Sequence, residues 1–232
     1  MRYLLFDIDG TLLVTSAGRA ALETAIRDAF ALQQPDCSVD FSGRTDRSIV
    51  SELLDKNGLL NSEENFTRLK DSYLRVFPAE LEAEGARLLP GVRSLLWELT
   101  QLPSVKLVAM TGNFEQAGKE KLRFCGLHEY FTAVSGGDTD RLRDDLARRT
   151  VEALVPGHRS DAPTQLLNYD LASDFIVIGD TPADIQCAKA IGAKAIGVCT
   201  GWYTQDQLLS ESPDRIFSDL SETAEVIAEL VS

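Results

Sequence analysis

Four short, almost unbroken apolar runs restrict the folds open to this chain: residues 3–6, 107–110, 175–178 and 195–198. Runs of this length are too short to cross a membrane or to fill a helix. They suit strands buried on both faces, as in a parallel sheet. Residues 131–134 form a weaker fifth candidate. Helical patterns separate the later runs. Residues 116–124 stop before Gly126, Leu142, Leu146, Thr150 and Leu154 line one face, and residues 183–191 stop at Gly192. Strand alternating with helix predicts an α/β fold, a doubly wound and mainly parallel sheet of Rossmann-like type. A chain of 232 residues can bury the core such a sheet needs without disulfide staples or a structural metal.

Residues 15–88 break the alternation. Ala20, Ala21, Ala25, Phe30 and Leu32 suggest one helix. Ile49, Leu53 and Leu54 suggest a second, closed by Asn57-Gly58, and Phe66, Leu69, Tyr73, Leu74 and Phe77 a third, closed by Pro78. No convincing strand occurs among them, and the core resumes at Leu88-Leu89-Pro90-Gly91. The expected organisation is a catalytic-type α/β core of residues 1–14 and 89–232, interrupted by a small helical cap at 15–88. Residues 221–231 read as a closing helix.

Asp and Glu number 36 against 23 Lys and Arg, a net charge of −13. A field of that sign repels nucleic acid and anionic membrane surfaces, so neither is an expected partner. The first apolar run is too short for an export signal. The four cysteines, Cys37, Cys125, Cys187 and Cys199, lack metal-ligand spacing and read as reduced packing residues in a cytoplasmic protein. His128 and His158 have no ligand partner at helical spacing and read as structural or surface residues.

Each apolar run ends in a polar or glycine cluster: Asp7-Ile8-Asp9-Gly10-Thr11, Thr111-Gly112-Asn113, Gly179-Asp180-Thr181-Pro182 and Thr200-Gly201. Open α/β sheets bind ligands beyond the carboxyl ends of their strands. Asp7 and Asp9 read either as a cap or turn, or as a site. As a cap they would be two carboxylates pointing the same way without a cation, a costly arrangement when buried. A cation between Asp7, Asp9 and Asp180 removes that cost. Oxygen donors without His or Cys favour Mg²⁺ over zinc.

With these clusters in order, the chain resembles the haloacid dehalogenase superfamily. Asp7-Ile-Asp9-Gly-Thr11 is similar to its first motif, Thr111 to its second, and Gly179-Asp180-x-x-x-Asp184 to its fourth. The helical insertion and residues 179–203 resemble the phosphoglycolate-phosphatase-like branch. That resemblance implies a Mg²⁺-dependent phosphatase of a small phosphorylated metabolite, working through an aspartyl-phosphate on Asp7. Asp9 would act as general acid and base. Asp7, Asp180 and the Asp9 backbone carbonyl would hold the metal, with Asp184 supporting its outer shell or capping a helix. Thr111, Gly112, Asn113 and a motif-three cation would hold the phosphate. The family's usual lysine for that third motif is replaced by an arginine, Arg143, with Arg141 as the competitor.

Ser42-Gly43-Arg44-Thr45-Asp46 resembles cap segments that face substrate. Arg44 or Arg47 would grip a substrate carboxylate, Arg44, with Thr45, being the candidate that reads the leaving group, and Thr45 or Asp46 would also open a helix. Trp202 and Tyr203 read as packing residues. A sugar phosphomutase is the alternative activity within the superfamily, and a catalytically silent binding protein the alternative outside enzymes. A monomer and a homodimer are both compatible with the sequence.

Overall fold

Successive side chains on a strand point to opposite faces, and each apolar run exploits both. The computed structural model describes residues 1–155 and 174–231. In β1 (Arg2–Phe6), Leu4 and Phe6 enter one hydrophobic core and Leu5 the other. The same split recurs in β4 (Val105–Met110), with Leu107 and Ala109 opposed to Val108 and Met110. It recurs again in β6 (Phe175–Gly179), with Ile176 and Ile178 opposed to Phe175 and Val177. With β5 (Ala133–Ser135), β7 (Lys194–Val198) and β8 (Arg215–Phe217), these strands form one parallel sheet in the order β5-β4-β1-β6-β7-β8. The chain therefore grows outward from β1 in both directions, and its ligand crevice is expected beyond the carboxyl end of that strand.

Helices cover both faces. α4 (Val92–Thr100), α5 (Glu115–Phe124) and α9 (Thr223–Val231) supply Leu95, Leu96, Leu99, Leu122, Val226 and Leu230 to one core. α6 (Arg143–Leu154), α7 (Pro182–Ala190) and α8 (Gln205–Ser210) supply Leu146, Val151, Ile185, Ala188 and Leu208 to the other. Cys125 and Cys187 pack in these cores as free thiols, and burial pushes Cys187 up to about 12. His128 opens a short 3₁₀ turn, and its Nδ1 faces Glu129. His158 lies outside the described residues.

Residues 15–88 carry α1 (Ala17–Phe30), α2 (Asp46–Lys56) and α3 (Glu63–Glu84) around a hydrophobic core of their own, with Ile26, Ile49, Leu53, Leu69 and Phe77 buried in it. Two expectations need correction. The third helix does not end at Pro78 but runs through it to Glu84. Proline deletes one helical hydrogen bond, yet Phe77 and Leu81 on either side are buried against α1 and keep the helix in line. The segment also holds a strand: β3 (Arg87–Leu88) pairs antiparallel with β2 (Leu13–Val14) and ties the insertion's two ends together. The fifth sheet strand lies two residues later than its apolar run, and β8 was not anticipated.

The insertion is docked on the core by backbone and side-chain hydrogen bonds, an ion pair and a buried aromatic ring. Asp46 N–H donates to the Gly112 carbonyl at 2.6 Å, and the Asp46 carboxylate accepts the Phe114 N–H at 2.6 Å. Arg47 N–H donates to the Gly137 carbonyl, and the Thr45 hydroxyl to the Arg141 carbonyl. Lys70 on α3 pairs with Asp138 at 2.5 Å. Phe114 belongs to the sheet side, but its ring is fully buried in the insertion's core, edge-on to Phe66 and Tyr73 at 6.0 and 5.4 Å.

Phe114→Ala should therefore destabilise the protein by about 3–5 kcal/mol, read as a lower urea midpoint, and a change under about 1 kcal/mol would mean the ring is not a packing anchor. Burial raises the Asp46 carboxyl from 3.8 to about 7, against the Phe114 N–H, which favours the charged form. The folded state then holds a proton that the unfolded state has lost, so this group's contribution to stability falls as pH rises between those values. Asp46→Asn keeps an acceptor without the charge. Urea midpoints at pH 5 and 8 in EDTA should drop more steeply for the wild type than for this variant. Parallel slopes would show that Asp46 titrates normally.

Candidate active site

All four strand-end clusters line one crevice, and the two acidic ones meet beyond β1 and β6. Asp7 directly follows β1 and is held there by its own N–H, which donates to the Ile178 carbonyl at 2.9 Å. Asp180 directly follows β6. Asp184 stands on the first turn of α7, because Thr181 caps that helix and Pro182 opens it. Asp184 Oδ2 accepts from the Thr181 N–H and hydroxyl at 3.0 and 2.7 Å, closing a reciprocal capping box. Carboxylate oxygens of Asp7, Asp180 and Asp184 all lie within 4.8 Å of one another, and all three residues are buried.

Among the described residues, Arg143 is the one cation that pairs with this group. It opens α6, is 8% exposed, and its Nη2 donates to Asp7 Oδ1 at 2.9 Å and to Asp184 Oδ1. Arg141 is exposed and contributes only its carbonyl, to Thr45. One guanidinium does not balance three carboxylates. Burial, against the attraction of Arg143, raises Asp7 to about 7. Burial together with the Asp7 and Asp184 charges raises Asp180 to about 8. The Thr11 hydroxyl donates to Asp180 at 3.1 Å. A Cβ on Gly10, whose φ is +85°, would stand 2.3 Å from Asp180 Oδ2, and one on Gly201 only 1.7 Å from it. Glycine at both positions thus lets the backbone close tightly around Asp180. An all-oxygen donor set with one guanidinium set against three carboxylates fits a hard divalent cation.

Asp9 faces another way. Its Oδ2 accepts from Lys121 Nζ at 2.6 Å, while its Oδ1 is buried without a hydrogen-bond partner. Its carboxylate is therefore not among the three that cluster, which leaves the backbone carbonyl as the group expected to face a metal. Lys121 was missed in the sequence. It sits on α5 between Gly118 and Leu122, is 2% exposed, and also donates to Asn113 Oδ1 at 2.8 Å. A lysine on the apolar face of a helix, with Ala117, Gly118 and Leu122, was the signal.

Thr111 directly follows β4 and is 1% exposed. Its Oγ1 accepts the Asn113 N–H at 3.2 Å. That amide, expected to hold an anion, is already committed. The Thr111 hydroxyl proton and the Gly112 N–H have no acceptor among the described residues. The Gly112 carbonyl takes the Asp46 N–H.

The insertion closes this crevice into a cavity of about 1160 Å³, lined from the sheet side by Asp7, Asp9, Thr111 and Asp180 and from the insertion by Arg19, Arg44 and Tyr73. Arg44 was expected to read substrate. Its guanidinium instead pairs with Glu52 and donates to the carbonyls of Asp40 and Ser48. Arg47 pairs with Glu63 across the face of Phe66. Thr45 caps α2 and docks it on the core. Trp202 does not pack: it lies at the cavity's edge, 95% exposed. Tyr203 packs partly against the sheet.

Comparison with known proteins agrees with this geometry. A family model described as haloacid dehalogenase-like hydrolase matches residues 4–198. Phosphoglycolate phosphatase of Neisseria gonorrhoeae is 28% identical over 95% of this chain and 90% of its own. A probable phosphatase, IndB, of Dickeya dadantii is 29% identical over 94% and 90%. Among solved structures, CbbY from Rhodobacter sphaeroides in complex with phosphate superposes with a TM-score of 0.69 at 19% identity, covering 96% of each chain. A predicted phosphatase from Clostridium acetobutylicum superposes with a TM-score of 0.68 at 22% identity, covering 98% of each. With its strand-end carboxylates and a family match over most of its length, the chain belongs to the haloacid dehalogenase-like hydrolases, on their phosphoglycolate-phosphatase-like branch.

Proposed function

We propose that this hydrolase is a phosphoric monoester hydrolase that removes the phosphate of a small, phosphoglycolate-like metabolite through an aspartyl-phosphate on Asp7. The observation that carries the reading is the group of buried, charge-deficient carboxylates at the end of the central strand, with a second, separately held carboxylate two residues along. Mg²⁺ is the metal proposed, held by Asp7, Asp180 and the Asp9 carbonyl with Asp184 behind them. Bound there, it would offset repulsion between the attacking carboxylate and the phosphate dianion.

The chain's own groups account for the other parts. An Asp7 oxygen attacks phosphorus opposite the leaving oxygen, the bond to the alcohol breaks, and the phosphoryl group passes to Asp7. Asp9 gives its proton to the departing oxygen. A water then attacks the aspartyl-phosphate, Asp9 takes its proton, and inorganic phosphate leaves with Asp7 restored. Lys121 and Asn113 position the Asp9 carboxylate for both transfers. Arg143, the Thr111 hydroxyl and the Gly112 N–H are the donors that support the phosphate oxygens. Arg143 also holds Asp7 before substrate arrives, so its guanidinium is in place at the reacting end. The insertion, residues 15–88, is the proposed lid that keeps bulk water from the aspartyl-phosphate.

Asp7→Asn should abolish turnover of p-nitrophenyl phosphate while leaving the melting temperature within a few degrees of the wild type. An amide of the same size is not a nucleophile. Residual activity above about one part in a hundred would indicate direct attack by water. Asp180→Asn should raise the Mg²⁺ concentration for half activity at least about tenfold, since a charged oxygen ligand is lost. It should also largely remove the rise in melting temperature that Mg²⁺ gives the wild type. An unchanged thermal response would place the ion elsewhere.

A further inference from the structure

One polar group in the cavity is left without a partner by the rest of the fold. Among the insertion's polar side chains that line the cavity, Tyr73 is the one that is both buried (3% exposed) and without a hydrogen bond to any described residue. The others have partners or stand within reach of water. Asp46 accepts the Phe114 N–H, Arg44 pairs with Glu52 and Asp40 accepts the Ser42 N–H, whereas Arg19 and Arg87 are exposed. The Tyr73 oxygen is not sealed off by protein atoms and opens on the cavity.

Packing explains the ring of Tyr73 but not its hydroxyl. The ring stacks on Phe77 with centres 5.4 Å apart and stands edge-on to Phe114, also at 5.4 Å. A phenylalanine would fill the same place and leave no polar atom unpaired, and a buried hydroxyl without a partner is costly. The same packing makes the group rigid, because a tyrosine has few torsions and this ring is wedged between two others. Burial, with the Asp46 and Asp9 charges, pushes the phenol further above its ordinary range, so it keeps its proton and remains a donor. Those two carboxylates also locate the hydroxyl, on the Asp9 side of the cavity. A Cβ on Gly18 would stand 3.6 Å from the Tyr73 oxygen and 4.0 Å from Lys121 Nζ, the group that holds Asp9. The glycine leaves the space between them open.

We propose that Tyr73 is a specificity-determining residue: its hydroxyl donates a hydrogen bond to an oxygen on the carbon next to the ester carbon of the substrate. This rests on the phosphatase reading above, in which Asp9 gives its proton to the leaving ester oxygen. A donor fixed beside Asp9 then meets the leaving group just beyond that atom. A hydroxyl, a carbonyl or a carboxylate oxygen satisfies it, so selection is by the position of the oxygen and not by its charge. The insertion reads the leaving group with a donor already in place, while Thr111 and Arg143 hold the phosphoryl end.

Matched phosphomonoesters test it on the whole, Mg²⁺-loaded protein. 2-Hydroxyethyl phosphate is compared with ethyl phosphate, and 2-hydroxypropyl phosphate with propyl phosphate, each pair differing in a single hydroxyl on the second carbon. p-Nitrophenyl phosphate reports the chemistry alone. In the wild type, kcat/KM should favour the hydroxyl-bearing member of at least one pair. Tyr73→Phe should lower kcat/KM for that substrate by about 3- to 12-fold, the range for a neutral hydrogen bond. Its alkyl match and p-nitrophenyl phosphate should stay within about twofold. The melting temperature of the variant should equal or exceed that of the wild type, because the ring packing is kept and no protein hydrogen bond is lost. A fall of more than about 5 °C would give the hydroxyl a partner within the protein and overturn the proposal. Equal losses on all substrates would place the hydroxyl on the phosphate or the ester oxygen and overturn it too. No preference in the wild type, or one that survives in Tyr73→Phe, with p-nitrophenyl phosphate still hydrolysed, would overturn it and leave the phosphatase reading standing. No hydrolysis of any of the five by the wild type would overturn both.

Discussion

The crowding of like charge at the end of β1 governs the rest of the molecule. Asp7, Asp180 and Asp184 are buried within 4.8 Å of one another, with Arg143 set among them. Left to itself, such a group would protonate or spread apart. The fold prevents the second outcome by fixing each carboxylate from the backbone outward. Asp7 is locked by a sheet hydrogen bond, Asp184 by the capping box of α7, and Asp180 by the end of β6 and the Thr11 hydroxyl. The remaining relief is electrostatic, and it explains why Asp7 and Asp180 hold protons so far above the usual carboxylate range. A parallel sheet with helices on both faces suits this purpose, because its interior strands end together at one rim.

Much of this arrangement was legible in the sequence because it is local. An apolar strand followed at once by an acidic or glycine cluster specifies both the strand and the place where its end will lie. Asp7, Thr111 and Asp180 needed no tertiary information beyond the parallel order of the strands. Arg143 was legible only through the family resemblance, which aligns it, in competition with Arg141, with the motif-three lysine; the structure buries it at the start of α6, a helix that packs through Leu146 and Ala147.

What the sequence hid was decided by contacts between distant segments. Lys121 and Asp9 are separated by 112 positions, and nothing in either neighbourhood names the other. Arg44 looked available because its partner, Glu52, is two helical turns away and equally plausible as a solvated charge. Pro78 misled for the opposite reason: the local rule was sound, but burial of Phe77 and Leu81 outweighed one missing hydrogen bond.

The position of Phe114 gives the insertion and the Thr111–Asn113 turn a shared mechanical fate. The ring is three residues beyond Thr111, yet it is packed inside the insertion's core, and the Phe114 N–H is held by Asp46 from the same side. Swinging the insertion away without moving the turn would strip that ring into water, at roughly 1.5–3 kcal/mol for the side chain alone. Moving the two together avoids the penalty but carries the Thr111 hydroxyl and the Gly112 N–H along with the insertion. Opening the cavity and displacing these two donors are then one motion, so that, on the proposed phosphatase reading, a departing phosphate would lose them at the moment its exit opens.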